Sequence, residues 1–230
     1  MKPLKRMTLW DQAYAALRDS LLEGRFAPGD RILLRDVAGE LGISLTPVRD
    51  AVNRLVAEHV LERGGSGQGG GAMVPRIDVP HFRELQAIRS DLEGRAVARA
   101  AELAMPAAIR RLEALLDEMR GLIAARHLEP YLGVHRRFHF ELYAVAELSV
   151  LAQFIENLWL RCGPVLTYVI PDYVLLLKGS DCHQAALEAL RRADPEAAAA
   201  AIRQDIAEAG QYIAGLVDEN GWIGAPGRAA

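Results

Sequence analysis

Four residues in the second half of the chain are of the types that bind divalent metal ions. His135 and His139 are four residues apart, so both imidazoles lie on one face of a helix. His183 and Asp205 each interrupt an otherwise apolar stripe on two later helical segments. Because an unpaired carboxylate is costly to bury, Asp205 needs a partner. Three imidazoles and one carboxylate that meet in a helical bundle would hold a divalent ion and leave coordination positions open to a ligand.

The same four residues allow a plainer interpretation. A core histidine that is satisfied by a hydrogen bond is commoner than a metal ligand, and a single pair at this spacing is only suggestive. In that case Asp205 would be a carboxylate paired with one or more protonated core histidines. The two interpretations differ in whether the purified protein carries a divalent ion.

The segments that must position these residues are helical. After Pro80 the sequence shows helical periodicity, and Asp194-Pro195 is a strong helix start because Asp caps a helix and proline fits its first turn. Proline and glycine residues divide this part into predicted helices over residues 81–104, 107–126, 130–147, 149–162, 181–193 and 195–218. Residues 165–177 fit either a kinked helix or a loop.

The first 77 residues predict a different architecture. Helices are expected over residues 8–23, 34–41 and 45–59, with Gly42 in the turn before the third helix and Ser44 as its cap. The glycine-rich stretch at residues 64–71 has strand-like flanks, so we favour a hairpin with a glycine tip over a plain linker. This order of helices, glycine turn and hairpin is typical of a winged helix-turn-helix.

A helix-turn-helix places the N-terminal residues of its last helix against base edges in the major groove of DNA. The helix predicted from residue 45 has an apolar inner face and polar outer side chains, and the hydroxyls at its start suit phosphate. The candidate DNA-binding residues are Ser44, Thr46, Arg49, Asn53 and Arg54. The alternative is a helical corner of another fold, in which the two arginines are solvated surface.

Composition limits the class of protein. With 51% hydrophobic and 25% charged residues, the 230-residue chain has the balance of a soluble globule. It lacks an apolar run of roughly 18–20 residues, a secretory signal and enough cysteines for a disulfide framework. These features predict a cytoplasmic protein without a membrane partner. The net charge of −3 divides into +2 for residues 1–77 and −5 for residues 78–230, so only the first part suits DNA.

Two stretches resemble the N-terminal domain of GntR-type bacterial transcription regulators, namely GRFAPGDRIL at residues 24–33 and LGISLTPVRDAVNRL at residues 41–55. The helical remainder is similar to the ligand-sensing domain of the FadR branch of that family, in its shorter six-helix form. The resemblance implies that Arg35, Thr46 and Arg49 lie among the DNA contacts. It also implies a double-stranded operator read by a homodimer, since such a module reads two half-sites, and a small organic acid as effector.

The chain departs from the family pattern in the DNA-binding part. The family usually has Arg between the capping Ser and the Thr, where this chain has Leu45. Leucine does not donate a hydrogen bond to guanine, so the operator should differ at one base pair or be read less stringently. The family's wing usually has a basic or polar tip, where this chain has glycine.

The resemblance also bears on the four candidate metal ligands. Sensing domains of the FadR branch often bind a metal through Asp, His, His and His in that order. His139 and His183 match the second and third positions, whereas His135 stands where the family has Asp and Asp205 where it has His. The exchange keeps three imidazoles and one carboxylate. This set suits Zn²⁺ or Ni²⁺, with Mn²⁺ and Fe²⁺ as alternatives.

Two arginines are candidates for binding the carboxylate of an organic acid. Arg89 matches an arginine of the family, although it could equally form a salt bridge between helices with a residue such as Glu93. Arg161 is a second candidate of the same kind.

The sequence therefore predicts a mostly α protein, with a winged helix-turn-helix over residues 1–77 and an all-α helical bundle for ligand sensing and dimerisation over residues 78–230. The predicted function is a ligand-responsive transcription regulator. A metal-dependent enzyme and a DNA-binding protein with a purely structural metal are the alternatives. The enzyme is disfavoured because the sequence has no His-Glu-x-x-His, Gly-x-Ser-x-Gly or Glu-x-x-His motif.

Overall fold

Three helices and a small sheet form the N-terminal part of the protein. The computed structural model describes residues 8–64, 71–128, 130–169, 174 and 178–224. Its first elements are α1 (Leu9–Leu22), β1 (Arg31–Leu33), α2 (Leu34–Leu41), α3 (Leu45–Ala57), β2 (Glu62–Arg63) and β3 (Gly71–Met73). The strands are ordered β1-β3-β2 and both pairs are antiparallel, which gives the predicted winged helix-turn-helix.

The hairpin predicted for the glycine-rich stretch is confirmed for its strands. Glu62 and Arg63 of β2 pair with Met73 and Ala72 of β3, while the tip at residues 65–70 lies outside the described residues. The sequence did not predict β1. This strand has only three residues, and Ile32 pairs with Ala72 far along the chain, so local periodicity does not report it.

Local signals set the ends of these helices. Thr8 caps α1 reciprocally with Asp11, because the Asp11 amide donates to Thr8 Oγ1 at 3.1 Å and the Thr8 amide donates to the Asp11 carboxylate at 2.9 Å. Gly42 ends α2 at φ 64°, in the left-handed region that glycine adopts without a Cβ clash. Ser44 occupies the N-cap position of α3, but its side chain makes no capping hydrogen bond, so its exposed hydroxyl is not committed to the helix.

Within the described residues the C-terminal part contains six α-helices. They are α4 (Val79–Leu103), α5 (Pro106–Ala124), α6 (Tyr131–Val145), α7 (Ser149–Leu166), α8 (Lys178–Arg191) and α9 (Pro195–Ala214). These helices match the predicted segments closely, except that α7 continues through Pro164. The proline removes one backbone donor, and the buried residues Val165 and Leu166 keep the helix packed beyond it. Residues 167–169 form a 3₁₀ turn, and residues 170–173 and 175–177 lie outside the described residues.

Helix α4 runs through the middle of the body. It packs against α6, α7, α8 and most extensively α9, while α5 packs on α6 and α8. The core between these helices includes the fully buried side chains of Phe82, Phe138, Leu142 and Trp159. Across the part of the chain that the structure describes, no helix has both the length and the apolar character needed to cross a membrane.

The first helix connects the two parts of the protein. The guanidinium of Arg136 on α6 lies 3.2 Å from the Asp19 carboxylate and 3.4 Å from the Glu23 carboxylate of α1. Gly163 lets α7 approach the α1 backbone closely, because a Cβ at this position would lie 3.0 Å from the carbonyl oxygen of Leu21. The helix-turn-helix is therefore docked on the same helices that form the body.

Candidate metal centre and DNA-binding surface

The structure brings the four candidate metal ligands together. His135 and His139 lie on α6, His183 on α8 and Asp205 on α9, and one ligand atom from each lies within 4.8 Å of all the others. The Nε2 atom of His139 is 3.1 Å from Nε2 of both other histidines and 3.5 Å from Asp205 Oδ2. Since the four side chains come from three helices, the packing of α6, α8 and α9 creates the cluster.

Burial sets the protonation of this cluster. Desolvation, reinforced by the charge of His183, lowers the pKa of His135 to about 3. Desolvation, together with the charges of His135 and His183, lowers the pKa of His139 well below its usual range. Burial acts to raise the pKa of Asp205, but His183, His135 and Arg89 together outweigh it, so that pKa lies below its usual value. The two α6 imidazoles are therefore neutral and the carboxylate is ionised near neutral pH, which are the forms that ligate metals.

A buried hydrogen-bond network contacts the Nδ1 side of the His139 ring, away from the other candidate ligands. Its Nδ1 lies 3.0 Å from Tyr143 Oη, and the Tyr143 hydroxyl donates to Glu93. Glu93 also accepts hydrogen bonds from Arg89 Nε at 2.7 Å and from Trp159 Nε1 at 3.0 Å. Burial, followed by the charge of Glu93, raises the pKa of Tyr143 well above its usual range, so the phenol keeps its proton.

Sequence reasoning missed the parts that Tyr143 and Glu93 play in this network. Both stand one helical turn from a residue that had been singled out, Tyr143 after His139 and Glu93 after Arg89. That spacing places each pair on one helix face and was the available signal.

A cavity of about 40 Å³ lies beside the cluster. His135, His183 and Asp205 line it together with Arg89 and mainly apolar side chains. At about 10–15 Å³ for each water, this volume holds roughly three water-sized groups. The cavity therefore joins the candidate metal ligands to a buried guanidinium.

Arg89 lies between the cavity and a carboxylate of its own helix. It lines the cavity, and its Nε is 2.7 Å from the Glu93 carboxylate. The salt bridge lies within α4 rather than between two helices, because residues four apart on a helix are neighbours. Burial acts to lower the pKa of Arg89, but the charge and hydrogen bond of Glu93, together with Cys162 and Tyr143, outweigh it and raise that pKa above its usual value.

Arg161 does not join the cluster. One of its terminal nitrogens lies 3.1 Å from His81 Nε2, and it lines a second cavity between the wing and the body. Trp159, two residues earlier on α7, is the side chain that reaches the histidines, at 5.2 Å between its ring centroid and that of His139. Two residues correspond to about 200° around a helix, so Arg161 faces the other way.

The candidate DNA-binding residues share one property, which is exposure to solvent in the helix-turn-helix. They are Arg35, Ser44, Thr46, Arg49, Asn53 and Arg54. Helix α3 packs inward through Val48, Ala51, Val52 and Leu55, which leaves its opposite face free. Leu45 at the start of α3 is 37% exposed.

Arg54 is exposed but not free. Its Nε lies 2.7 Å from the Glu58 carboxylate, and its guanidinium stacks 4.0 Å from the centroid of the Tyr14 ring. Glu58 is the C-cap residue of α3, one turn after Arg54, and Tyr14 lies on α1, so these contacts turn Arg54 toward α1. This placement differs from the outward one expected from the sequence.

Comparison with known proteins agrees with both parts of the fold. Residues 9–74 match the family described as bacterial regulatory proteins, gntR family, and residues 84–208 match the FCD domain. The HTH-type transcriptional regulator McbR of Escherichia coli (strain K12) is 32% identical over 166 residues, which cover 72% of this chain and 74% of McbR. The HTH-type transcriptional repressor RspR of the same organism is 25% identical over 213 residues, 91% of this chain and 90% of RspR.

Solved structures have the same arrangement. The structure of E. coli McbR/YncC has a TM-score of 0.79 at 30% identity and covers 90% of this chain and 95% of that one. A putative transcriptional regulator GntR from Rhodococcus sp. RHA1 has a TM-score of 0.70 at 21% identity, covers 91% of this chain and 99% of that one, and supports the fold. The named relatives are transcriptional regulators, not enzymes. The chain therefore belongs to the GntR family of bacterial transcriptional regulators and carries an FCD domain as its C-terminal part.

Proposed function

We propose that this regulator binds a double-stranded operator as a homodimer, and that a divalent metal and a small organic acid in its FCD domain alter operator affinity. The observation that carries this proposal is the meeting of four ligand atoms within 4.8 Å of one another, beside a cavity that also contains the buried Arg89. The ion pairs of Arg136 with Asp19 and Glu23 join helix α6 of the FCD domain to helix α1 of the DNA-binding part. They give the sensing site a physical connection to the part that binds DNA.

The donor set fits a transition metal. Three ring nitrogens and one carboxylate oxygen suit Zn²⁺ or Ni²⁺, with Mn²⁺ and Fe²⁺ as alternatives. His135, His139, His183 and Asp205 would hold the ion, and the rings of the first two need not lose a proton to do so. A bound ion would supply positive charge at the cavity wall, where the carboxylate of an effector completes its coordination.

The cavity supports a small acid as effector. Its volume suits a molecule of few heavy atoms, and Arg89 adds a guanidinium that pairs well with carboxylates. We assign the effector role to Arg89 and not to Arg161, since Arg161 lines the second cavity.

For DNA recognition we propose the exposed residues of the helix-turn-helix as contacts, namely Arg35, Ser44, Thr46, Arg49 and Asn53. Arg54 should contribute least, because Glu58 and Tyr14 hold its guanidinium. Two half-sites call for two copies of the chain. Residues 1–77 would serve as the DNA-binding domain and residues 78–230 as the sensing and dimerisation domain of a cytoplasmic protein.

The test combines elemental analysis with DNA titration. Protein purified without chelator should contain a divalent ion, and fluorescence anisotropy on DNA upstream of its own gene should change when small mono- or dicarboxylates are added. Arg89→Lys should abolish that change, because lysine keeps the charge but lacks the fork of a guanidinium. Arg99→Lys is the matched control, since Arg99 lies on the same helix in an exposed pair with Glu102.

Each result has a distinct meaning. Protein without metal under metal-replete conditions would refute the metal site and leave Asp205 as a partner of core histidines. Metal without any response to acids would instead favour a structural ion. If Arg89→Lys and Arg99→Lys responded equally to added carboxylates, Arg89 would not be part of the effector site.

A further inference from the structure

A chain of hydrogen bonds leads from the His139 ring to the buried Glu93 carboxylate. Tyr143 stands between them, with His139 Nδ1 3.0 Å from its oxygen on one side and a Glu93 oxygen on the other. The second Glu93 oxygen accepts from Arg89 Nε and Trp159 Nε1. All five side chains are buried, so water does not readily replace any of these partners.

The chemistry of the donors fixes the direction of every bond in this network. The nitrogens of Arg89 and Trp159 only donate, so Glu93 is the acceptor, and its other oxygen accepts a hydrogen bond from the Tyr143 hydroxyl. The Tyr143 oxygen then has lone pairs left to accept a hydrogen bond from the Nδ1–H group of His139. A neutral imidazole with its proton on Nδ1 presents a lone pair at Nε2, the atom that faces the other candidate ligands.

We propose that Tyr143 and Glu93 are positioning residues for the metal site, which hold His139 in the tautomer and orientation whose Nε2 is ready to ligate. This inference rests on the proposed metal site. His135 provides the contrast, because its buried Nδ1 has no hydrogen-bond partner among the described residues. His139 is therefore the ligand around which the site is organised. The loss of such an outer partner typically lowers metal affinity by about 10–100-fold.

The first test removes a single oxygen. Tyr143→Phe should bind Zn²⁺ and Ni²⁺ about 10–100-fold more weakly than the wild type in competition with a chelator. Tyr14→Phe is the matched control, since the Tyr14 hydroxyl also donates to a carboxylate, that of Glu58 at 2.7 Å, but in the DNA-binding part. Equal affinities of Tyr143→Phe and wild type would overturn the positioning role. A wild type that binds neither ion would refute the proposed metal site instead.

The second test reads the tautomer directly in metal-free protein by nitrogen-15 NMR, and it does not depend on whether Tyr143→Phe folds. Wild-type His139 should carry its proton on Nδ1. Glu93→Gln should reverse the direction of these hydrogen bonds. The glutamine amide donates to the Tyr143 oxygen, so the Tyr143 hydroxyl donates to His139 Nδ1 and the ring proton of His139 lies on Nε2. Wild-type His139 protonated on Nε2 would overturn the inference.

Discussion

Gly163 lies where α7 approaches the backbone of the first helix closely, and Gly163→Ala tests that contact. The added Cβ would lie 3.0 Å from the carbonyl oxygen of Leu21 and 3.6 Å from Leu22 Cα. The Leu21 carbonyl also accepts a hydrogen bond from the Gly24 amide at 3.2 Å. Because this carbonyl is held by the last turn of α1, it does not move away independently of the helix. We therefore expect the added methyl group to push α1 and α7 apart.

Two effects oppose each other in this variant. Alanine is better than glycine inside a helix by about 1 kcal/mol, whereas a methyl group forced into a packed contact costs about 1–3 kcal/mol. Gly121→Ala isolates the first effect, because Gly121 stands three residues before the end of α5, as Gly163 does in α7, and a Cβ there meets nothing within 4 Å. The difference between the two variants therefore measures the contact alone.

The assay is urea unfolding followed by circular dichroism. Gly163→Ala should have a free energy of unfolding about 1–3 kcal/mol below that of Gly121→Ala. If the two variants were equally stable, or if Gly163→Ala were the more stable, the close approach of α7 to the α1 backbone would be refuted.

Four further predictions concern DNA, metal and pH. Arg49→Ala should weaken operator binding in a gel-shift titration by about 1–3 kcal/mol, and unchanged affinity would exclude Arg49 from the interface. Leu45→Arg should shift half-sites selected from random duplexes toward G·C at one position, whereas identical selected sequences would show that residue 45 does not face the bases. His135→Asp and Asp205→His should each alter metal affinity or preference by elemental analysis, and the double exchange, which restores three imidazoles and one carboxylate, should recover binding better than at least one of them. Because the pKa of His135 falls from 6.5 to about 3 on folding, His135 is protonated at a higher pH in the unfolded chain than in the folded protein. The stability that this neutral histidine contributes is thus present above pH 6.5 and is lost as pH falls toward 3, by at most about 1.4 kcal/mol per unit. Urea unfolding of metal-free protein at several pH values measures that slope, and His135→Gln should reduce it; an equal slope in the variant would contradict the shift.

Local patterns in the sequence predicted several features that neighbouring residues decide. Helix α2 was predicted over residues 34–41 and spans Leu34–Leu41, because an apolar stripe and the glycine after it are local signals. The one-turn spacing of His135 and His139 likewise predicted that both rings lie on one helix face. The apolar stripes around His183 and Asp205 predicted that these two side chains point into the core, where the structure brings all four together.

Contacts between distant parts of the chain could not be predicted in this way. Tyr143 and Glu93 are 50 residues apart, so only the packing of α6 on α4 shows that they form a pair. Strand β1 depends on a partner in the wing for the same reason. The placement of Arg161 was predictable in principle, since its separation from Trp159 along α7 points the two side chains to opposite faces.

Two consecutive residues of α6 face different parts of the protein. His135 lines the cavity of the FCD domain, while Arg136 pairs with acidic side chains of α1. Under the proposed function, a ligand that prefers one position of α6 would also select among positions of the DNA-binding part through these pairs. Because coupling between binding sites is reciprocal, operator DNA should change the affinity of the cavity for its ligand by the same factor as the ligand changes operator affinity. Calorimetric titration of the ligand, with and without operator present, would thus yield the coupling free energy entirely from the sensing side.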